Sequence, residues 1–152
     1  MATQAARNSS VFMYLAAIPL LLIPFALYNI IAYLVNTDFH QTVFTVPLIS
    51  GHVMAVSMGD VVVLLGVLLL YAEILKSTRF SAKAIVDHVL SIILFIVMIV
   101  EFIVAEKAAT STFLILTCLS FVDVVGGFTI TIRTAQRDVT FDGGPEGGRV
   151  AS

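Results

Sequence analysis

Four apolar runs, at residues 11–35, 53–75, 85–105 and 113–132, take up most of this 152-residue chain and fix what it can become. A hydrocarbon core about 30 Å thick is crossed by about 20 apolar residues in a helix. Within it only helices and closed barrels satisfy their own backbone groups. The third run, 89–105 by itself, reaches that length because 84–86 extend its start across Asp87 and His88. What remains is short polar connections. Hydrophobic residues make up 59% of the chain and charged residues 12%, with a mean hydropathy of +1.05, whereas about a quarter of a soluble domain is charged. The expected fold is all-α: an integral-membrane, antiparallel four-helix bundle.

Local signals support these divisions. Ser10, Ser81, and Thr110 with Ser111 stand before the first, third and fourth runs, and all are residue types that cap helix N-termini. Thr45 followed by Pro47 offers the second helix an earlier start, making it about 30 residues long or broken near Gly51. Pro19 and Pro24 predict kinks in the first helix. That first run is 25 residues long with no small-x-small pattern after it, so it reads as a retained span rather than a signal peptide.

Charge sets the orientation. Seven of the eight basic residues lie in three segments: Arg7 before the first run, Lys76, Arg79 and Lys83 between the second and third, and Arg133, Arg137 and Arg149 after the fourth. Lys107 alone lies in the other two loops. The positive-inside rule then predicts both termini, residues 1–10 and 134–152, on the cytoplasmic side. The second of these is polar and Gly-rich, and its composition predicts disorder. Tyr14, Tyr33 and Tyr71 fall near span ends, as interfacial aromatics do.

Three carboxylates, Asp60, Glu101 and Asp123, interrupt apolar runs that contain no cation of their own. Even gentle insertion scales charge about 2.5–3.5 kcal/mol for such a residue at mid-membrane, so each needs a reason to be there. At about 1.5 Å per residue, Asp60 and Glu101 fall about 6 Å to the outer side of their span midpoints, Asp123 falls at its midpoint, and Asn29 about 9 Å outward. The expectation is one polar slab. With Ser57 and Ser120 these are the candidate ion- or proton-binding residues. Heptad spacing of His52, Gly59, Gly66 and Glu73 defines a small, polar seam on the second helix. Asp87, Ser91, Leu94, Met98, Glu101 and Ala105 form a stripe on the third, and Ser120, Asp123 and Gly127 share a face of the fourth. Gly59, Gly66, Gly126 and Gly127 are the expected close-packing positions. The competing account makes the carboxylates protonated hydrogen-bond donors that pin helices together.

Other chemistry is weakly supported. His40 and His52, with Asp38, have the loose spacing of at best a weak external metal site, and solvated interfacial histidines explain them better. His52 and His88 fall at opposite ends of their helices, which argues against haem. Asp87 and His88 beside Lys83 read as a solvated first helical turn. Cys118 and the methionines read as packing residues. No nucleophile with its base, phosphate-binding loop or zinc motif occurs, so no cofactor and no enzymatic activity are expected. A net charge of −2 without a basic face argues against nucleic acid.

The stretches 55–60, 73–79 and 123–138 give the chain its family likeness. In these it resembles small four-span inner-membrane proteins of proteobacteria, a group with no motif of established chemistry. The resemblance implies a bacterial cytoplasmic membrane. Size and tiny loops suggest a non-enzymatic subunit whose partners are the bilayer and other membrane proteins or copies of itself. The alternative is a proton- or cation-conducting module built on the three carboxylates.

Overall fold

The computed structural model describes residues 18–77 and 82–141. In chain order these form α1 (Leu22–Asn29), which widens into a π-helical segment (Ile30–Val35), then strands β1 (Thr42–Pro47) and β2 (Val53–Ser57), α2 (Met58–Ser77), α3 (Ala82–Val104), a 3-10 turn (Glu106–Ala108) and α4 (Ser111–Phe141). Among the described residues, three stretches are long and apolar enough to cross a membrane: Met58–Lys76, Val86–Val104 and Ser111–Thr129. Only 22–39% of each is buried within the chain, so most of their apolar surface needs an apolar environment outside it.

Helix α4 lies at the centre, packed on both α2 and α3. It runs parallel to α2, since Gly59 meets Thr112 and Gly66 meets Leu116 and Leu119. It runs antiparallel to α3, since Phe102 stacks with Phe113 at one end, Phe95 meets Phe121 midway, and His88 packs against Phe128 at the other. The segment from Ile18 through α1 crosses the same distance in the opposite sense to α2. Ile18 and Leu20 bond to Lys76 and Glu73, and Tyr28 bonds the Lys107 carbonyl and Thr110. The core between the helices is built from Tyr28, Val62, Leu70, Leu94, Met98, Phe113 and Leu116.

The first apolar segment differs from expectation. Pro24 occupies the third position of α1, where its missing N–H has no intrahelical partner to lose, and Pro19 lies before the helix. Neither kinks it. The irregularity comes instead at Ile30–Val35, where the Asn36 N–H bonds back five residues to the Ile31 carbonyl at 2.8 Å. Asn36 is left-handed (φ 55°), and Lys107 closes this end by donating to the Ala32 carbonyl and Asn36 Oδ1 at 3.0 and 2.9 Å. Residues 11–17 of the run, and the Ser10 and Ser81 caps, lie outside the described residues.

The largest correction concerns residues 42–57. The second helix neither starts near Thr45 nor spans from Val53. This stretch is a β-hairpin, with Thr45 opposite Ala55 and Pro47 opposite Val53, and a bulge at Val43. Its turn is closed by the Leu48 N–H on the His52 carbonyl at 2.8 Å, and Gly51 takes φ 83°, which an L side chain resists. Pro47 terminates β1 instead of opening a helix. At the other end of the chain α4 continues through Phe141, so 134–141, expected to be disordered, are helical. Residues 142–152 lie outside the described set.

Candidate functional site

The three carboxylates singled out from sequence are not brought together. Asp60 sits in the first turn of α2, and Ser57 is the residue before that helix. The Ser57 N–H and Oγ–H both donate to Asp60 Oδ2, at 2.8 and 2.7 Å, and the Asp60 N–H donates back to Ser57 Oγ at 3.2 Å. This is a capping box with aspartate in place of glutamate. The Met58 and Gly59 N–H groups meanwhile bond the Gln41 and Phe39 carbonyls, each at 2.9 Å. Every donor of that first turn is thereby satisfied, so Asp60 is explained as a helix-starting residue. With α2 starting at Met58, Asp60 stands about 10 Å from its span midpoint, not 6 Å.

Glu101 lies on α3 near the same end and accepts a long bond, 3.4 Å, from Asn29 Nδ2, which also donates to the Phe25 carbonyl at 3.1 Å. Asn29 and Glu101 therefore form a pair between α1 and α3, as their shared depth suggested. Around them, Asp38 accepts from the His40 N–H at 2.9 Å. A shallow concavity of about 220 Å³ opens between Asn36, Asp38, His40, Lys107 and Thr110. His52 is exposed in the hairpin turn. Among the described residues no three metal-ligating side chains cluster, so His40 and His52 do not gain a third partner.

Asp123 belongs to a different assembly at the opposite end. Lys76 Nζ lies 3.0 Å from Glu73 Oε1 and 2.9 Å from Asp87 Oδ1, and also donates to the Ile18 carbonyl at 3.1 Å. Glu73, 3% exposed, takes a further bond of 2.6 Å at Oε2 from the Leu20 N–H. Asp123 is buried on α4, and Ser91 and Asp87 are buried on α3, the helix packed against it. Asp87, His88 and Lys76 are its charged or titratable neighbours. His88 reaches the site edge-on to Phe128, with ring centroids 4.4 Å apart. A Cβ on Gly127 would collide with the His88 ring. The reading of Asp87 as a solvated first-turn residue is therefore wrong: it is buried, and its charge is met across the helix boundary by Lys76.

Helical spacing explains which residues converge. Gly59, Gly66 and Glu73 are all buried, as the heptad seam requires, although His52 is not part of the helix. Asp87, Ser91, Leu94 and Met98 are buried along one stripe of α3, and Ser120 and Asp123 along one of α4. Gly126 is the exception among the glycines, because a Cβ there would meet open space. Lys76 reads from sequence only as an orientation-setting charge, because it lies just beyond its apolar run. Its three-residue spacing from Glu73 was the available signal.

No protein-family model matches the chain, and no match is found among curated proteins or solved structures.

Proposed function

We propose that this chain is a non-enzymatic integral membrane subunit that packs against other membrane proteins, further copies of itself included, with both termini on the cytoplasmic side of a bacterial inner membrane. In this account the segment ending in α1 completes a four-span bundle with α2, α3 and α4, and the hairpin projects from its outer end.

The hairpin carries the proposal. An isolated two-stranded sheet is marginal in water, and natural proteins protect exposed strand edges with charge. Residues 42–57 contain no Asp, Glu, Lys or Arg. Val43, Phe44, Leu48, Val53 and Met54 are exposed, and Ile49 at the turn is fully so. The hairpin touches its own bundle chiefly where β2 enters α2. An uncharged apolar arm with two open edges is suited to a protein surface that covers it.

Photo-crosslinking from position 49 in native membranes tests this. Adducts at a discrete protein mass, either a multiple of this chain or a second membrane protein, are expected. Labelling confined to lipid would reject the proposal. The alternative is a proton- or cation-conducting module built on Asp60, Glu101 and Asp123; that Asp60 bonds to Ser57 while Glu101 bonds to Asn29 favours the subunit reading.

A further inference from the structure

The two edges of the hairpin are not equivalent. Along an antiparallel pair, residues that bond each other across the strands alternate with residues whose N–H and C=O groups point away from the partner strand. The Leu48 N–H bonds the His52 carbonyl, so the next pair, Pro47 with Val53, is an outward one. Pro47 has no N–H to give the ladder, which fits that place. Following the register, Val46 and Met54 bond each other, and Thr45 and Ala55 point outward.

On β1 the outer edge is therefore made by Pro47, Thr45 and the bulge at Val43. Proline and bulges are the devices that blunt a strand edge. On β2 the outward residues are Val53, Ala55 and Ser57, and the Ser57 N–H is already bonded to Asp60. Val53 and Ala55 each present an N–H and a C=O, both residues are exposed, and among the described residues none of these groups has a partner. No proline, bulge or charge protects this edge.

We propose that β2 pairs antiparallel with β2 of a second copy of this chain, joining two hairpins into one sheet. The edge is self-complementary in one register. With Met54 opposite Met54 of the other copy, Val53 bonds Ala55 on both sides of the twofold axis, and every outward N–H and C=O of these residues is paired. Centring on Ala55 instead would require the Ser57 N–H. The absence of charge also favours a second copy as the occupant, since a charge here would face its own kind across the axis. Such a contact uses the same patch on both copies and closes at two, because the new sheet is bounded by the β1 edges with Pro47 and the Val43 bulge. This inference rests on the reading that a protein covers the hairpin, and names that protein.

Disulfide crosslinking in native membranes is the test, on the full chain carrying Cys118→Ser so that each variant has a single thiol. Facing Cα atoms stand about 4.5 Å apart in a non-bonded antiparallel pair and about 5.5 Å in a bonded one, both within disulfide reach. Mild oxidation is expected to give a covalent dimer from Met54→Cys, and from Val53→Cys co-expressed with Ala55→Cys, while Thr45→Cys on the other edge stays monomeric. No dimer from Met54→Cys, or as much dimer from Thr45→Cys, would overturn the self-pairing. If position 49 then still crosslinks to a discrete protein mass, only the self-pairing falls. If position 49 labels lipid alone, the wider reading falls with it.

Discussion

Lys76 and Asp87 join, at 2.9 Å, two consecutive helices that α4 otherwise separates. The same ammonium holds Glu73 on its own helix and the Ile18 carbonyl on the incoming segment. One side chain thereby ties three parts of the bundle at one end. Removing one partner of a buried pair leaves a charge uncompensated, which costs about 3–5 kcal/mol when burial is complete.

Lys76 is itself 28% exposed, so water recovers part of that cost. Lys76→Met is expected to destabilise the bundle by about 2–3 kcal/mol. Adding Asp87→Asn to Lys76→Met should restore part of the loss, because it removes one of the orphaned charges. Thermal unfolding of the two single variants and the double variant in one detergent measures this coupling. Simple additivity would show that the ion pair is not the link between the helices.

The adjacent glycines of α4 should behave in opposite ways. Gly127→Ala forces a methyl into the His88 ring and is expected to cost about 1–3 kcal/mol, the range for overpacking. Gly126→Ala meets open space and should be neutral or slightly stabilising. Melting temperatures of the two variants decide it, and equal losses would contradict the packing described for His88.

At the start of α2, Ser57→Ala removes the hydroxyl donor to Asp60 Oδ2 and the acceptor of the Asp60 N–H, leaving only the Ser57 N–H on that carboxylate. It should cost about 1 kcal/mol, as helix N-cap losses do. Asp60→Asn keeps a side-chain oxygen for the Ser57 N–H and should cost less. The same melting series tests this order. A larger loss in Asp60→Asn would mean that the carboxylate charge has a role beyond capping.

These contrasts also mark how far sequence alone reaches. The three long helices were legible because each lies in a run of about 20 mostly apolar residues, and their inward faces because Gly59, Gly66 and Glu73, or Asp87, Ser91 and Met98, recur at helical spacing. The hairpin was hidden for a physical reason: uniformly apolar sequence carries no two-residue alternation, so residues 53–57 merged with the helix that follows. Three local signals marked the switch. Thr42–Pro47 is rich in β-branched residues, Gly51 supplies the positive φ, and Ser57-x-x-Asp60 announces a helix start. Depth measured from run midpoints then misplaced Asp60, because the run was not one helix. Asp87 was misjudged because its counter-charge lies on the preceding helix.

The claim that the chain works as a packed subunit rests on the hairpin, and one measurement addresses it most directly. Native mass spectrometry of the chain extracted gently from its own membrane, alongside Phe44→Asp and Ile49→Asp, reports the assembly without naming a partner in advance. The native chain is expected in a complex of discrete mass above the monomer, and both variants are expected to release a folded monomer. A native chain that emerges as a monomer, or variants that stay in the same complex, would contradict the account.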